Sequence, residues 1–122
     1  MTTMIQDKDG VIAAAPSSVP DRHFRKAWLF DADKTAITED LAAAKVIFKD
    51  KIREVRGPIL EAEDVVYMKA LEADDATAKA ASVAKKKKLR DAPAASAITS
   101  ADTIDKLKAA WDEDVLGTSP YK

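Results

Sequence analysis

Few side chains of this sequence could take part in catalysis. The single histidine, His23, lies in the polar segment 21–26. A lone histidine without identified partners is a weak candidate for a base or a metal ligand, so His23 is interpreted as a surface residue. The chain has no cysteine, which excludes thiol nucleophiles, disulfide bonds and cysteine-based zinc sites.

Carboxylates occur in clusters that could supply an acid and a base. The clusters are Asp31/Asp33, Glu61/Glu63/Asp64 and Asp112/Glu113/Asp114. Acid–base catalysis needs one such group in an apolar cleft that shifts its pKa, whereas these clusters lie in polar stretches. We interpret them as solvated surface.

Two aspartate-rich segments, Asp7-Lys8-Asp9-Gly10 and Asp31-Ala32-Asp33, faintly resemble a calcium-binding loop. The later ligand positions and the closing glutamate of such a loop are missing, so both segments are interpreted as turns. The sequence predicts no catalytic residue, no metal site and no cofactor, and therefore a protein that is not an enzyme.

The sharpest local charge is the run Lys85-Lys86-Lys87-Lys88-Leu89-Arg90. Such a run can bind nucleic acid, but no aromatic residue interleaves it and the formal net charge of the chain is −1. Cations also collect at the C-terminal end of a helix, and the acidic pair Asp74-Asp75 lies at the other end of the same predicted helix. We favour this second interpretation; a nucleic-acid-binding helper is the remote alternative.

The composition predicts a thin core. The hydrophobic class makes up 47% of the chain, but 24 of the 122 residues are alanine, and Leu, Ile, Val and Phe together number only 26. Alanine favours helix and buries little area. We therefore expect an elongated, largely helical chain that is completed by a partner. The longest early apolar run, 11–15, is far too short to span a membrane.

The predicted fold class is α+β, mainly α, in three segments. Residues 1–38 are predicted to form a small antiparallel β unit of two short hairpins, whose turns lie at 7–10 and 31–34. Residues 39–92 have helical periodicity and are predicted to form a helical hairpin. Residues 93–122 are predicted to form a short helix and a C-terminal tail.

Several residues predict where the helices begin and end. Thr38 is the predicted N-cap of a first helix of about 18 residues, which Gly57-Pro58 interrupts by a kink or a new helix start. Asp74-Asp75 predicts the turn before an alanine-rich helix that begins at Ala76, ends near Arg90 and cannot continue through Pro93. Ser100 or Thr103 is expected to cap the short helix. The tail from Gly117 to Lys122 is expected to be loose or docked on a neighbour.

An apolar seam along the helical hairpin is the predicted protein-binding surface. Its members are Leu41, Phe48, Ile52, Val55, Leu60, Tyr67 and Leu71, with Trp28 and Trp111 at the two ends. One flank of the seam carries a basic stripe of Lys45, Lys49, Arg53 and Arg56. Charges that border an apolar seam form inter-helix ion pairs in coiled coils, and the candidate acidic partners, in the same chain or another copy, are Glu61, Glu63, Asp64 and Glu72. A solvated, unpaired face is the alternative interpretation.

Short motifs between residues 19 and 121 resemble, in matching order, a group of small tail-associated proteins of tailed bacteriophages and prophages. The motifs are Pro20-Asp21-Arg22, Phe24-Arg25, Ala27-Trp28, Arg53, Arg56, Pro58, Leu60, Asp64, Tyr67-Met68, Lys88-Leu89-Arg90-Asp91, Pro93, Thr103-Ile104-Asp105 and Leu107-Lys108. Each motif is weak alone, and their order and spacing carry the resemblance.

The resemblance implies a role in a phage tail and no catalytic residues. The expected protein is a structural component at the tail tip, at the baseplate or on a fibre, which forms a homo-oligomer and docks on other tail proteins. The alternative is a chaperone of tail or tail-fibre assembly that is absent from the mature virion. Either protein is made in the cytoplasm of the bacterial host, and the structural component ends in the virion.

Overall fold

Two short β-hairpins begin the fold, as the sequence predicts. The computed structural model describes residues 3–20 and 22–121. Strand β1 (Met4–Gln6) pairs antiparallel with β2 (Ile12–Ala14), and β3 (Trp28–Phe30) pairs antiparallel with β4 (Ile37–Glu39). Each pair has only three residues per strand, so both hairpins depend on packing against the rest of the chain.

A single carboxylate, that of Asp7, fastens the first hairpin to the second. Its Oδ1 accepts hydrogen bonds from the backbone N–H groups of Asp9 and Val11, both at 2.9 Å, and its Oδ2 accepts one from Phe30 N–H at 3.1 Å. The backbone N–H of Lys8 also donates to the Trp28 carbonyl at 2.9 Å. Residues 7–10 therefore form a turn, as predicted, and the Asp7 carboxylate stabilises it by accepting hydrogen bonds from backbone N–H groups.

The second predicted turn has the same construction. Asp31 Oδ1 accepts from the backbone N–H of Thr35 at 2.7 Å and of Ala36 at 3.2 Å, while the Thr35 hydroxyl donates to Oδ2 at 2.9 Å. Because these oxygens already accept hydrogen bonds from their own loop, the turn interpretation of this aspartate-rich segment is supported.

The first helix is longer than predicted and begins later. Helix α1 runs from Leu41–Glu72, and its N-cap is Asp40, whose side chain accepts from Ala43 N–H at 3.3 Å. The prediction that Thr38 caps this helix is wrong, because Thr38 lies in β4 and pairs with Leu29. Strand β4 includes Thr38 and Glu39, which the helical pattern assigns to the cap and the first turn of the helix.

Gly57-Pro58 neither ends α1 nor starts a new helix, and α1 passes through both residues. Proline removes one backbone donor and crowds the preceding turn, and the residue before it is normally pushed out of the helical region because its Cβ meets the proline ring. Gly57 has no Cβ, which relieves that second constraint. The glycine therefore lets the helix continue where a larger residue would oppose it.

The turn after α1 is formed as the sequence predicts. Asp74 takes a positive φ of 53°, and Asp75 caps helix α2 (Ala76–Asp91) by accepting from Ala78 N–H at 3.0 Å. Helix α2 packs antiparallel against the second half of α1, so the helical hairpin is confirmed. A short 3-10 turn, Ala92–Ala94, follows with Pro93 at its centre.

Three short helices and the tail complete the described chain. They are α3 (Ser96–Ser100), α4 (Ile104–Ala109) and α5 (Glu113–Leu116). Of the two caps proposed for the short C-terminal helix, Thr103 is the one used: it caps α4 by accepting from Lys106 N–H at 3.1 Å.

The tail is docked on the chain's own core, so the expectation of a loose or neighbour-bound tail is wrong for the described residues 117–121. The Tyr121 ring stacks on Phe24 and Phe48 at centroid distances of 5.1 and 5.3 Å, and its edge meets Trp111 at 5.9 Å. The Trp111 indole N–H donates to the Gly117 carbonyl at 3.0 Å. Lys122 lies outside the described residues.

One apolar core joins the three predicted segments. Its buried members include Phe24, Phe48, Leu89, Ile98 and Leu107. Phe24 comes from the 3-10 helix Arg22–Ala27, which the sequence did not predict. The core therefore forms within the chain, from the 3-10 helix Arg22–Ala27, the first half of α1, the end of α2 and the segment that follows α2.

The geometry around Asp7 predicts an acid-dependent stability. Although desolvation raises the pKa of its carboxyl, the hydrogen bonds from Phe30, Val11 and Asp9 outweigh it and hold the pKa below 3.8. A lowered pKa in the folded state stabilises the fold fully above the unfolded value and progressively less as the pH falls below it. We expect Asp7→Asn to lower the melting temperature at pH 7 and to flatten its decline below about pH 3.8.

The matched control for this prediction is Asp9→Asn. The Asp9 side chain is 62% exposed and pairs with Lys8 on the surface. Its substitution should leave the melting temperature and its pH profile close to wild type in thermal unfolding followed by circular dichroism. Equal effects of the two substitutions would contradict the role of Asp7.

Tyr121 predicts an alkaline dependence with the opposite sign. Burial, and then the negative charge of Glu54, raises the pKa of the phenol to about 12 from an ordinary value of 10. Between these values the unfolded chain loses the proton and the folded chain keeps it, so stability falls as the pH rises from 10 to 12. We expect Tyr121→Phe to lose that part of the decline in urea titrations, whereas Tyr67→Phe should retain it.

Candidate protein-binding surface

Four side chains of the predicted binding seam are buried inside the chain. Phe48, Ile52, Trp28 and Trp111 are all at most 5% exposed, and Phe48 meets the edge of Trp111 at 5.8 Å. The prediction that these four side chains bind a neighbouring protein is therefore corrected, because they are buried within this chain. Phe48, Ile52 and Trp111 belong to its apolar core, and Trp28 is buried in β3. The sequence shows the seam but not which element covers it.

Three further members of the seam lie at the edge of the same core. Leu41, Val55 and Leu60 are partly buried and pack against the buried cluster. Only the far end of the seam differs. Tyr67 is half-buried, and Leu71 is exposed on the last turn of α1.

The basic stripe binds helix ends rather than carboxylates of the neighbouring helix. The Arg56 guanidinium donates to the carbonyls of Leu89 and Arg90 at 3.3 and 2.8 Å, at the C-terminal end of α2. The Lys45 ammonium donates to the Thr99 carbonyl at 2.9 Å, at the end of α3. Both cations satisfy carbonyls that a helix leaves without internal donors, at the negative end of the helix dipole.

The other two members of the stripe have weaker roles. Arg53 pairs at 2.8 Å with Asp50 on its own helix and is half-exposed, and Lys49 is half-buried on the same flank. Of the four acidic residues proposed as partners of the stripe, Glu63 and Asp64 bind lysines of α2 instead. Among the described residues, none of the salt bridges joins the stripe to these four acidic residues, so the predicted pairs do not form within the chain.

The lysines of α2 that pair with carboxylates belong to the lysine run. Lys85 pairs with Glu63 at 3.2 Å, and Lys86 pairs with Asp64 and lies 4.7 Å from the centre of the Tyr67 ring. Lys87 pairs with Asp91 at 2.6 Å, one turn further along α2. Three consecutive lysines thus have carboxylate partners in the chain, which weakens the nucleic-acid interpretation and supports the structural one.

The pair between Glu63 and Lys85 is the most buried of these contacts. The Glu63 side chain is 8% exposed, and its backbone carbonyl also accepts from the Ser82 hydroxyl at 3.4 Å. A buried carboxylate is strongly unfavourable without a partner, and the pair with Lys85 offsets part of that cost where α2 packs on α1.

The helical hairpin extends past the core as an arm, which we define as residues 61–86. The core cluster has no member in this range. Five large apolar side chains of the arm are exposed: Val65, Val66, Met68, Leu71 and Val83. The arm is therefore the part of the described chain where apolar surface is concentrated without a covering element, and of these five side chains only Leu71 belongs to the predicted seam.

No cluster of three or more histidine or acidic side chains arranged to hold a metal ion occurs in the described part of the chain. His23 is exposed, as predicted, and its ring meets the edge of Tyr121 at 5.2 Å. An open groove of about 470 Å³ lies between α2 and α5, and its lining is mainly alanine and aliphatic. None of the described helices is long and apolar enough to cross a membrane.

Comparison with family models, with curated proteins and with solved structures returns no match. The function is therefore inferred from the geometry of the arm and from the motifs of the sequence.

The role of Arg56 gives a direct test of this description. We expect Arg56→Ala to lower the free energy of unfolding by about 1–2 kcal/mol, because two carbonyls at the end of α2 lose a charged donor. Arg53→Ala is the matched control on the same flank, and its exposed pair should contribute less than about 0.5 kcal/mol. Urea unfolding of both variants measures the difference, and equal losses would argue against Arg56 as a helix cap.

Proposed function

We propose that the protein is a non-enzymatic structural component of a bacteriophage tail, located at the tail tip, at the baseplate or on a fibre. It acts by forming a homo-oligomer and by docking on neighbouring tail proteins. The ordered motifs between residues 19 and 121 support the tail role. The observation that carries the mode of action is the arm, a helical hairpin that extends past the core with half-exposed apolar side chains.

The arm has the properties of a protein-binding element. Its segment 61–72 is about 18 Å long at 1.5 Å per residue, which is enough for three helical turns of contact. Its exposed apolar side chains are accompanied by charged ones, and interfaces between separately folded proteins likewise combine an apolar centre with a polar rim. Such a shape suits the lateral contacts of repeated subunits in a tail better than it suits the enclosure of a small substrate.

The proposal predicts that the protein is present in the virion. Mass spectrometry of purified particles of a phage that encodes the chain should find it in a fixed ratio to other tail proteins. Its absence from particles, together with abundance in the infected lysate, would contradict the proposal and favour the assembly chaperone. A salt-dependent affinity for duplex DNA that is lost when Lys85, Lys86, Lys87 and Lys88 are all replaced by alanine would instead favour the nucleic-acid helper.

A further inference from the structure

The apolar side chains of the arm are divided between two sides. At 100° per residue, Asp64, Met68 and Leu71 lie within about 60° of one another on α1. Val66 lies on the other flank, five turns beyond Phe48 and in line with it. Because Phe48 points into the core, the core packs on the flank of Val66, and the flank of Met68 and Leu71 is not covered by it.

An ion pair shows which side of α2 faces the same way. Lys86 reaches Asp64 and covers the Tyr67 ring, so the side of α2 that carries Lys86 adjoins the uncovered flank of α1. Lys79 and Val83, seven and three residues before Lys86, lie on that side of α2. We call this surface the open side of the arm; it consists of Asp64, Met68, Leu71, Lys79, Val83 and Lys86.

The two helices of the arm carry opposite charge. Segment 61–72 of α1 has four carboxylates and one lysine, whereas segment 76–86 of α2 has three lysines and no carboxylate. A uniformly acidic or basic partner would be attracted by one helix and repelled by the other. A second copy of the same arm carries both charges in the same arrangement, and self-complementarity is what a twofold interface requires.

We propose that a second copy of this chain docks on the open side of the arm, so that two arms form an antiparallel four-helix bundle around Met68, Leu71 and Val83. The inference rests on the proposed function, which needs self-association, and it names the surface. The charges also select the geometry. With the twofold axis parallel to the arms, the acidic α1 of each copy lies on the basic α2 of the other. With the axis across the arms, α1 would lie on α1 and like charges would meet.

The test replaces two side chains of the open side by charged ones. Each new charge is opposite in sign to the net charge of its own helix segment but equal in sign to that of the facing segment of the second copy. Leu71→Lys places a cation opposite the partner's lysine-rich helix, and Val83→Glu places an anion opposite the partner's acidic helix. The double variant keeps the net charge unchanged. The control, Val65→Lys with Val66→Glu, alters side chains off the open side that are equally exposed, since all four lie between 47% and 53% exposed.

Sedimentation of the full chain over a concentration series measures the outcome. We expect wild type and the control to dimerise and the double variant to have a dissociation constant raised at least about tenfold, from like-charge repulsion. A wild type that stays monomeric at the highest concentration overturns the inference. So does a dimer that survives the double substitution, although that result leaves self-association itself intact. Presence in or absence from virions concerns the proposed function alone.

A second measurement tests the orientation and uses the absence of cysteine from the chain. Met68→Cys and Ala80→Cys are made as separate single variants, one of them tagged, and mixed before oxidation. Because residues 68 and 80 lie at similar heights on the two helices of the arm, the parallel axis predicts disulfides mainly between variants. Disulfides that form mainly within one variant overturn the proposed orientation.

Discussion

The contact of Phe48 with the C-terminal segment organises the whole fold. On its own, the first half of α1 presents a seam of large apolar side chains with little to pack against, because so much of the chain is alanine. Trp111 and Tyr121 close over Phe48 from the end of the chain, and Phe24, from the N-terminal side, stacks on Tyr121. Four aromatic rings thus provide the area that alanine-rich helices cannot supply. The core formed within the chain was not predicted, because these rings are distant in sequence and local patterns do not reveal their pairing.

Local features of the fold were predictable where one residue decides the backbone. Asp7 and Asp31 mark turns because their carboxylates accept hydrogen bonds from backbone N–H groups close by in sequence, and Asp75 caps α2 for the same reason. The start of α1 was misplaced because Thr38 is a good cap and also a good strand residue, and its pairing with Leu29 decided the outcome. The passage of α1 through Pro58 depends on Gly57, whose benefit in that position is easily mistaken for a helix stop.

The candidate binding surface was predictable only in part. The periodicity of the seam identified α1 correctly as the apolar helix, but burial is decided by tertiary contacts, and only Tyr67 and Leu71 of the seam lie on the arm. Met68 and Val83 were missed because they lie outside the periodic seam, and their place on one side of the arm depends on how α2 packs on α1. The signal that could have found them is the opposite charge of the two helices, which the sequence displays in segments 61–72 and 76–86.

The arm and the rest of the described chain, which we call the body, are stabilised by different forces. The body is stabilised mainly by the burial of aromatic and aliphatic side chains, and kosmotropic salts strengthen this interaction. In the arm, the contacts between α1 and α2 include the ion pairs Glu63–Lys85 and Asp64–Lys86. Both pairs lie beyond Pro58, which removes one backbone hydrogen bond from α1. Mobile ions screen exposed pairs strongly and buried pairs less. Ionic strength therefore acts on the two halves of the molecule unequally, and the stiffness with which the arm is held against the body becomes a property of the surrounding solution as well as of the fold.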